Sequence, residues 1–484
     1  MVFSSLVFLC VFLPVLYIMY CIIPSLRIRN ILLIIASLMF YAYGEPVYVL
    51  LLIGSSIVNY AGARWIDTCE KKEQFKQKKL VLTMVVVINL LLLGVFKYTG
   101  FVVTSLNSIP GLSLPVPQIA LPIGISFFTF QILSYVVDVY QKKINVQKNY
   151  FKVLLYISFF PQLIAGPIVK YRDIELEIDD RNLDAREAWA GFRRFLCGLS
   201  KKVLIANAMG NVADHIFNGS MDHVNIAVAW IAAISYMLQI YYDFSGYSDM
   251  AIGLGRMFGF HFNENFMYPY GATTIKEFWR RWHISLSTWF REYVYIPLGG
   301  NRKGKARTSI NKMIVFLCTG LWHGANWTFV IWGIYHGFFL LLEDYVPAIK
   351  KLPKFLGHIY AVIVVCVGFV IFRAETIGQA AFVIKQMFTG FTFDAASKSL
   401  AMQQLTPYFI VMFVVALIGM APIAPLTRKV KSLIDPALSM SVAGEKGKKA
   451  FVACVVNVLA FVLLFWCMIR LSGSTYNPFI YFRF

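Results

Sequence analysis

Apolar segments long enough to cross a lipid bilayer recur along almost the whole chain, and they constrain its fold more than any other feature. A spanning helix needs about 20 apolar residues, and fewer where the membrane thins. Of the 484 residues, 58% are hydrophobic and only 14% are charged, which is more apolar surface than a water-soluble protein can bury. The sequence therefore predicts an all-α, polytopic membrane protein. The candidate spans are residues 2–24, 30–43, 47–64, 80–97, 119–140, 203–218, 224–242, 311–322, 326–345, 358–373, 406–422 and 450–470.

The formal net charge of +20 raises the question of a nucleic-acid partner. The basic residues fall in short clusters between apolar segments, which is the positive-inside pattern of cytoplasmic loops. A nucleic-acid-binding domain instead gathers its cations on one face, so we expect no nucleic-acid partner. The orientation that follows places both termini outside the cytoplasm. The segments predicted to lie inside are 27–29, 70–79, 141–152, 350–354 and 428–449.

Cysteine and histidine spacing gives no indication of a metal site. The eight cysteines form no CxxC pair and lie mostly in apolar segments, as is typical of buried, unreactive thiols. The histidines are dispersed and form no H-E-x-x-H motif. We therefore predict no bound metal and no permanently bound cofactor.

Three segments in the middle of the chain depart from a simple up-and-down pattern. Two prolines and one glycine interrupt 151–170, and polar residues with a glycine interrupt 241–258. Broken helices at membrane depth persist only where protein or a water-filled cavity satisfies the backbone. Both segments are therefore predicted to line a central cavity. Residues 272–296 mix cations with aromatic residues at helical spacing, which indicates a helix at the cytoplasmic interface.

Two histidines, His283 and His323, lie in aromatic, polar surroundings within this membrane chain. Ionisable groups in such positions mark functional sites by default. Burial disfavours a charged imidazolium, so a buried His323 would be neutral and able to take a proton from a hydroxyl group. His283 could belong to a functional site, or it could be an interfacial histidine hydrogen-bonded to a carbonyl group. The residues alone leave both interpretations of His283 open. We expect His336 to support the site or the fold.

Several segments resemble the membrane-bound O-acyltransferase family, in its bacterial branch that acetylates alginate, peptidoglycan and other exopolysaccharides. The resemblance spans nearly the whole chain and implies one membrane domain over residues 1–484. It also implies about 11–13 transmembrane or re-entrant helices around a central tunnel. The segments are 121–128 (LPIGISFF), 160–167 (FPQLIAGP), 241–249 (YYDFSGYSD), 278–301 (FWRRWHISLSTWFREYVYIPLGGN) and 321–327 (LWHGANW).

The resemblance implies specific roles for these segments. His323 corresponds to the catalytic histidine of the family and His283 to its partner. The basic interfacial segment around Arg280, Arg281 and Lys276 is expected to hold the phosphates of a donor such as acetyl-CoA. The domain divides into N-terminal helices (1–140), a catalytic core (141–345), C-terminal helices (346–470) and a tail (471–484). Further residues expected to line the tunnel or support it are Asp243, Ser245, Trp282, Trp322, Asn326 and His336.

The chain ends on the aromatic motif FIYFRF. Such a terminus is typical of an interfacial anchor. A similar motif closes the small peptide that accompanies D-alanyl-transferring relatives, and the resemblance implies an acyl-carrying tyrosine, here Tyr481. In that interpretation Phe479, Phe482 and Phe484 seat the tail, and Arg483 pairs with a partner or a carboxylate.

The sequence and the resemblance together predict an O-acetyltransferase of a bacterial plasma membrane. It would take acetyl from cytoplasmic acetyl-CoA and modify an extracytoplasmic polysaccharide, with a separate serine-hydrolase-like partner completing the transfer. One alternative is a D-alanyl transferase for teichoic acids, which the fused tail disfavours. A membrane transporter is the other alternative, and the lack of an internal repeat and of paired intramembrane charges disfavours it.

Overall fold

The computed structural model describes residues 1–420, 446–473 and 479–480, and within these ranges the chain is helical and contains no β-strand. The helices Ala395–Gln404 and Pro407–Met420 are bent by 67° at their junction, and taken together they form one additional candidate span. The all-α, polytopic prediction is confirmed. The other candidate segments within the described residues form helices that are shorter or less apolar, and the number of crossings stays a prediction. The helices long and apolar enough to cross a membrane are Tyr48–Lys71, Phe75–Leu106, Ile226–Met257, Lys354–Arg373 and Cys454–Ser472.

The N-terminal helices form a layer beside the catalytic core. The loop before the fifth helix turns at Gly124, whose φ is +79° and where an added Cβ would lie 3.0 Å from the Leu163 carbonyl oxygen. Glycine is the residue that tolerates both the left-handed conformation and this close approach. The helices are α1 (Leu13–Ile22, after a π-helical turn at Phe8–Phe12), α2 (Leu26–Ala42), α3 (Tyr48–Lys71), α4 (Phe75–Leu106) and α5 (Ile125–Tyr140).

The first predicted broken helix is confirmed. Helix α6 (Tyr150–Ser158) is followed after Phe159 by the single turn α7 (Phe160–Leu163), and residues 153–163 are buried. Neighbouring side chains satisfy the freed backbone groups, as membrane depth requires. The Phe160 N–H donates to Ser37 Oγ at 3.1 Å, and the Ile168 N–H donates to Ser285 Oγ at 3.1 Å. Helix α8 (Tyr171–Asp179) follows.

The second predicted break, in 241–258, is wrong. Residues Ile226–Met257 form one continuous helix, α11, which packs along α9 (Ala185–Ser200). A Cβ added at Gly198 of α9 would lie 2.4 Å from the Gly246 carbonyl oxygen. The glycines therefore allow two helices to approach closely, as small residues do in membrane proteins, instead of breaking one. A π-helical turn (Lys201–Ala206) and α10 (Asn207–Phe217) connect α9 and α11.

The predicted interfacial helix over 272–296 is divided into two short helices. Helix α12 (Ile275–Arg281) and helix α13 (Ile284–Phe290) are separated by Trp282 and His283, and a π-helical turn (Arg291–Tyr295) follows. The buried Glu343 carboxylate accepts the N–H groups of Ile275 and Lys276 at 2.5 and 3.1 Å. A carboxylate at a helix N-terminus satisfies orphan donors and complements the dipole, so Glu343 fixes the start of α12.

The remaining helices begin with a closely packed pair. Helix α14 (Gly304–His323) and helix α15 (Trp327–Tyr345) approach closely at Gly320, where an added Cβ would lie 2.3 Å from the Phe329 carbonyl oxygen. Near the end of the chain, Phe479 and Ile480 are buried in the core. The later helices are α16 (Pro347–Lys350), α17 (Lys354–Arg373), α18 (Ile377–Thr389), α19 (Ala395–Gln404), α20 (Pro407–Met420) and α21 (Lys446–Ser472).

Candidate active site

His323 is the last residue of α14 and is 4% exposed. Its imidazole lies among aromatic rings, with centroid distances of 5.0 Å to Trp322, 5.1 Å to Trp332 and 5.1 Å to Phe372. These rings exclude water from most of its surface. In such surroundings a neutral imidazole is favoured over the cation, as general-base chemistry requires.

The end of α14 is held by two side chains of α4. Lys97 Nζ donates to the carbonyl oxygens of Trp322 at 2.5 Å and of His323 at 3.3 Å, and Tyr98 Oη donates to the Leu321 carbonyl at 2.5 Å. The last carbonyl groups of a helix lack partners within the helix and carry its negative dipole end. An amine at this end therefore fixes the backbone position of His323.

His283 lies between α12 and α13 with φ +43° and ψ +55°, a left-handed conformation that is uncommon outside glycine. Its ring is buried, and Nδ1 lies 3.3 Å from Asn265 Oδ1. The same Asn265 oxygen accepts from the N–H and the hydroxyl of Ser285, at 3.1 and 2.9 Å. The Asn265 amide nitrogen donates to Ser248 Oγ of α11 at 3.1 Å. Asn265 thus orients His283 and favours a proton on its Nδ1.

Two tryptophans connect three histidines into one cluster. Trp322 contacts His323 and lies 6.0 Å from His283 between ring centroids. Trp332 contacts His323 at 5.1 Å and His336 at 4.9 Å. The structure thus brings together three histidines that lie on separate segments of the sequence. Within the described ranges no group of His, Cys, Asp and Glu side chains is arranged to hold a metal ion.

A cavity of about 490 Å³, the basic cavity, opens beside α12, α13 and α14. Among the residues described, neither Lys276 nor Arg280 forms an ion pair. The cavity extends along α14 as far as Thr319, one helical turn before His323. Its lining residues are Lys276, Trp279, Arg280, Leu286, Ser287, Phe290, Arg291, Tyr295, Asn301, Thr308, Lys312, Val315, Phe316, Thr319 and Leu340.

Two further cavities lie near His323. The inner cavity, of about 60 Å³, is bounded by His323 itself together with Lys97 and residues 121–127, which form the loop before α5 and its first turn. The tail cavity, of about 330 Å³, is bounded by Phe372, Asn326, Arg373 and Ile480, among others. Phe372 also contacts the His323 ring, so a single aromatic side chain lies between the tail cavity and the histidine.

Several predicted site residues lie outside these cavities. Arg281 does not line the basic cavity, because it pairs with Glu277 at 2.5 Å. Trp282 packs against Phe278 and Phe369 below the His283 turn. Ser245 is buried within α11.

Asn326 caps the start of α15 by accepting the Thr328 N–H, and its amide donates to the Glu375 carbonyl oxygen at 3.0 Å. It therefore combines a structural role with its place at the tail cavity.

The C-terminal motif is described only in part. Phe479 packs on Tyr247 with a centroid distance of 4.5 Å. The Ile480 N–H donates to Asp243 Oδ2 at 2.7 Å. Residues Tyr481, Phe482, Arg483 and Phe484 lie outside the described residues, so their predicted roles stay predictions.

Sequence reasoning missed Lys97 and Asn265. Lys97 closes the apolar segment predicted over 80–97, where a cation is typical of the end of a span. Because α4 continues to Leu106, Lys97 is instead an interior lysine, and an ionisable residue at that depth is itself a functional signal. Asn265 lies in a loop and has no sequence signal.

Comparison with known proteins decides the family. The model of the membrane-bound O-acyltransferase family matches residues 133–383, which include both His283 and His323. The chain belongs to this family. Membership makes it a membrane-bound acyltransferase, which confirms the predicted enzyme class.

Relatives of this acyltransferase differ in the group they transfer. The chain is 39% identical over 504 residues to the probable alginate O-acetylase AlgI of Azotobacter vinelandii, with 100% of both chains covered. It is 37% identical over 423 residues to the peptidoglycan O-acetyltransferase of Helicobacter pylori, with 80% of each covered. Its identity to the teichoic acid D-alanyltransferase of Bacillus subtilis is 28% over 275 residues, covering 52% of this chain and 69% of the relative.

Proposed function

We propose that this acyltransferase moves an acetyl group from cytoplasmic acetyl-CoA to an extracytoplasmic polysaccharide, through a tyrosine ester on its own C-terminal tail. One observation carries the proposal. His323 is buried one helical turn after Thr319 of the basic cavity, and its ring contacts Phe372 of the tail cavity. Ile480, the residue immediately before Tyr481, also lines the tail cavity.

The basic cavity suits a donor with several phosphates. Four cations line it, Lys276, Arg280, Arg291 and Lys312, and no acidic residue is among its lining residues. Arginine and lysine bind phosphate through charge-assisted hydrogen bonds. Thr319 and His323 are four residues apart on α14, so the cavity approaches the histidine to about 6 Å along the helix axis. A thioester bound with its phosphates near Arg280 could extend its acetyl group toward His323.

The chemistry needs one base and one nucleophile. His323 accepts the proton of the Tyr481 phenol, whose usual pKa of about 10 makes it easier to deprotonate than an alcohol. The phenolate oxygen bonds to the thioester carbonyl carbon, and the carbon–sulfur bond breaks. The departing thiolate takes the proton back from the imidazolium. The products are a free thiol and an O-acetyl-tyrosine, which is a good acyl donor for a further hydroxyl group. His283 helps place the donor on the cytoplasmic side.

The acceptor side is proposed from the relatives. Those that match 80–100% of the chain carry the names alginate O-acetylase and peptidoglycan O-acetyltransferase. The D-alanyltransferase match covers only about half of the chain, which favours acetyl over D-alanyl. We propose that a serine-hydrolase-like partner accepts the acetyl group from Tyr481 on the outer face and passes it to the polysaccharide. The site of action is the plasma membrane of a bacterium.

The test of the base is His323→Ala in purified protein incubated with radiolabelled acetyl-CoA and no partner. We expect transfer of label to the protein to slow by about 10²-fold or more, because the proton acceptor is lost. His358→Ala serves as the control, since His358 lies on α17 and hydrogen-bonds the Ala272 carbonyl, away from the cluster. Full-rate labelling of correctly folded His323→Ala would contradict the assignment.

The test of the nucleophile is Tyr481→Phe, which keeps the aromatic ring and removes only the hydroxyl group. We expect no acetyl ester at residue 481 by mass spectrometry and no acetylated polysaccharide in cells, at an unchanged protein level. Wild-type acetylation by this variant would leave the tail as a membrane anchor and exclude the relay.

A further inference from the structure

The C-terminal tail contacts a buried ion pair at the centre of the molecule. The Ile480 N–H donates to Asp243 Oδ2 at 2.7 Å, and Lys202 Nζ lies 2.7 Å from Asp243 Oδ1. The Asp243 and Lys202 side chains are only 1% and 3% exposed. Each carboxylate oxygen therefore has its own partner, one from the π-helical turn after α9 and one from the tail.

An aromatic contact holds the tail beside this ion pair. The Phe479 ring packs on Tyr247, which in turn stacks on Phe3 with a centroid distance of 4.7 Å. Asp243 and Tyr247 are four residues apart on α11 and so present neighbouring side chains on one face of that helix. Two consecutive tail residues thus contact two consecutive turns of α11. Ile480 does so through its backbone N–H and Phe479 through its ring.

Stability alone is a weak reason for an ion pair at this depth. Removing two charges from water costs several kcal/mol per ion, and apolar replacements of buried pairs are often neutral or stabilising. A charged acceptor gives the backbone of the tail a hydrogen bond of fixed position that an apolar surface does not offer. Ile480 also lines the tail cavity with Phe372, which contacts His323.

We propose that the Lys202–Asp243 pair is the docking site for the C-terminal tail, and that Asp243 is the positioning residue that sets where Tyr481 meets His323. The role in catalysis rests on the proposed tyrosine relay. Consecutive Cα atoms are 3.8 Å apart, so fixing the Ile480 amide restricts the positions open to the next residue. The ion pair acts through the tail and does not touch the reacting atoms.

Hydrogen exchange of the C-terminal peptide, measured by mass spectrometry on the full-length protein in detergent, tests the docking directly. We expect exchange of the peptide that contains Ile480 to become about tenfold faster or more in Asp243→Ala, because its buried amide loses a charged acceptor. A second variant, Lys202→Met with Asp243→Leu, removes both charges and avoids a buried unpaired ion, and it should show the same loss of protection.

Asp249→Ala is the matched control. Asp249 lies on the same helix and pairs with Arg194 at 2.9 Å and Lys201 at 2.6 Å. Among the described residues, Asp249 forms no hydrogen bond with the Ile480 N–H, which donates to Asp243. Unchanged exchange in Asp243→Ala and in the double variant, or an equal rise in Asp249→Ala, overturns the docking site.

The two variants Tyr481→Phe and Asp243→Ala distinguish failure of the proposed tyrosine relay from failure of the proposed docking site. Tyr481→Phe should keep the tail protected while acetylation is lost, and Asp243→Ala should lower acetyl transfer to Tyr481 without changing the KM for acetyl-CoA. If Tyr481→Phe stays active while Asp243→Ala releases the tail, the docking site stands and the relay is wrong. Full acetyl transfer by an Asp243→Ala protein whose tail is released would overturn the positioning role.

Discussion

At the scale of single residues, the site depends on groups that hold its histidines in place. Asn265 orients the His283 ring from one side. Lys97 fixes the backbone at His323 by donating to the last carbonyl groups of α14. A general base must lie within hydrogen-bond reach of the proton it removes, and small displacements of catalytic groups cost large factors in rate. Residues that never touch a substrate are therefore expected to control the rate.

Lys97→Met tests this expectation, because methionine keeps most of the apolar stem and removes the donor. We expect kcat for acetyl transfer to fall about tenfold, since displacement of the catalytic base is costly. We expect thermal stability to fall too, because two buried carbonyl groups lose a partner at about 1–3 kcal/mol each. The donor KM should not change.

Lys76→Met, at the exposed start of the same helix, provides the comparison for Lys97→Met. Equal kinetics in the two variants would show that Lys97 does not position His323.

At the scale of helices, α12 separates two adjacent arginines that look equivalent in the sequence. Arg280 lines the basic cavity, whereas Arg281 is paired with Glu277 and lies close to the Tyr268 carbonyl oxygen. A helix places consecutive side chains about 100° apart around its axis, so only one of the two reaches the cavity. Glu343 fixes this register by holding the N-terminus of α12.

We expect Arg280→Ala to raise the KM for acetyl-CoA about tenfold, because the donor phosphates lose a cation, and to leave kcat nearly unchanged. The loss of uniform binding has this kinetic signature. Arg281→Ala is the matched variant, and its KM should stay within about twofold of the wild type because it removes a half-exposed ion pair of small energetic value. Steady-state kinetics at varied acetyl-CoA concentrations measures both KM values. A larger KM change in Arg281→Ala than in Arg280→Ala would show that the donor binds at another surface.

At the scale of the whole molecule, the proposed direction of transfer depends on how the chain crosses the membrane. The basic loops predict 70–79 and 428–449 on the cytoplasmic side and 374–405 outside. The segment 428–449 lies mostly outside the described residues. In this orientation the basic cavity faces the cytoplasm, where acetyl-CoA is found, and Glu375 at the rim of the tail cavity faces outward.

Cysteine labelling in intact cells with a membrane-impermeant reagent measures this orientation. In a background without native cysteines, we expect labelling of Lys398→Cys on α19 and no labelling of Lys431→Cys until the cells are permeabilised. Labelling of Lys431→Cys in intact cells would reverse the topology, and with it the direction of acetyl transfer.

Local sequence patterns are sufficient to predict the membrane class, the broken helix over 151–170 and the short list of histidines. These properties depend on local composition. Each membrane span must be apolar over its own length, and proline and glycine destabilise a helix at their own positions. The family resemblance also follows from short contiguous motifs, which the sequence displays directly.

Which of these residues come into contact depends on how the helices pack in three dimensions. Gly246 and the polar residues around it predicted a break in 241–258. Gly246 instead allows a close contact with Gly198 of another helix, which a local pattern cannot show. Lys97, Asn265 and Lys202 acquire their roles from residues far away in the chain, at Trp322, His283 and Asp243. Such pairings depend on the packing of whole helices, since the energy of a buried charge or amide is set by the partner that folding brings to it.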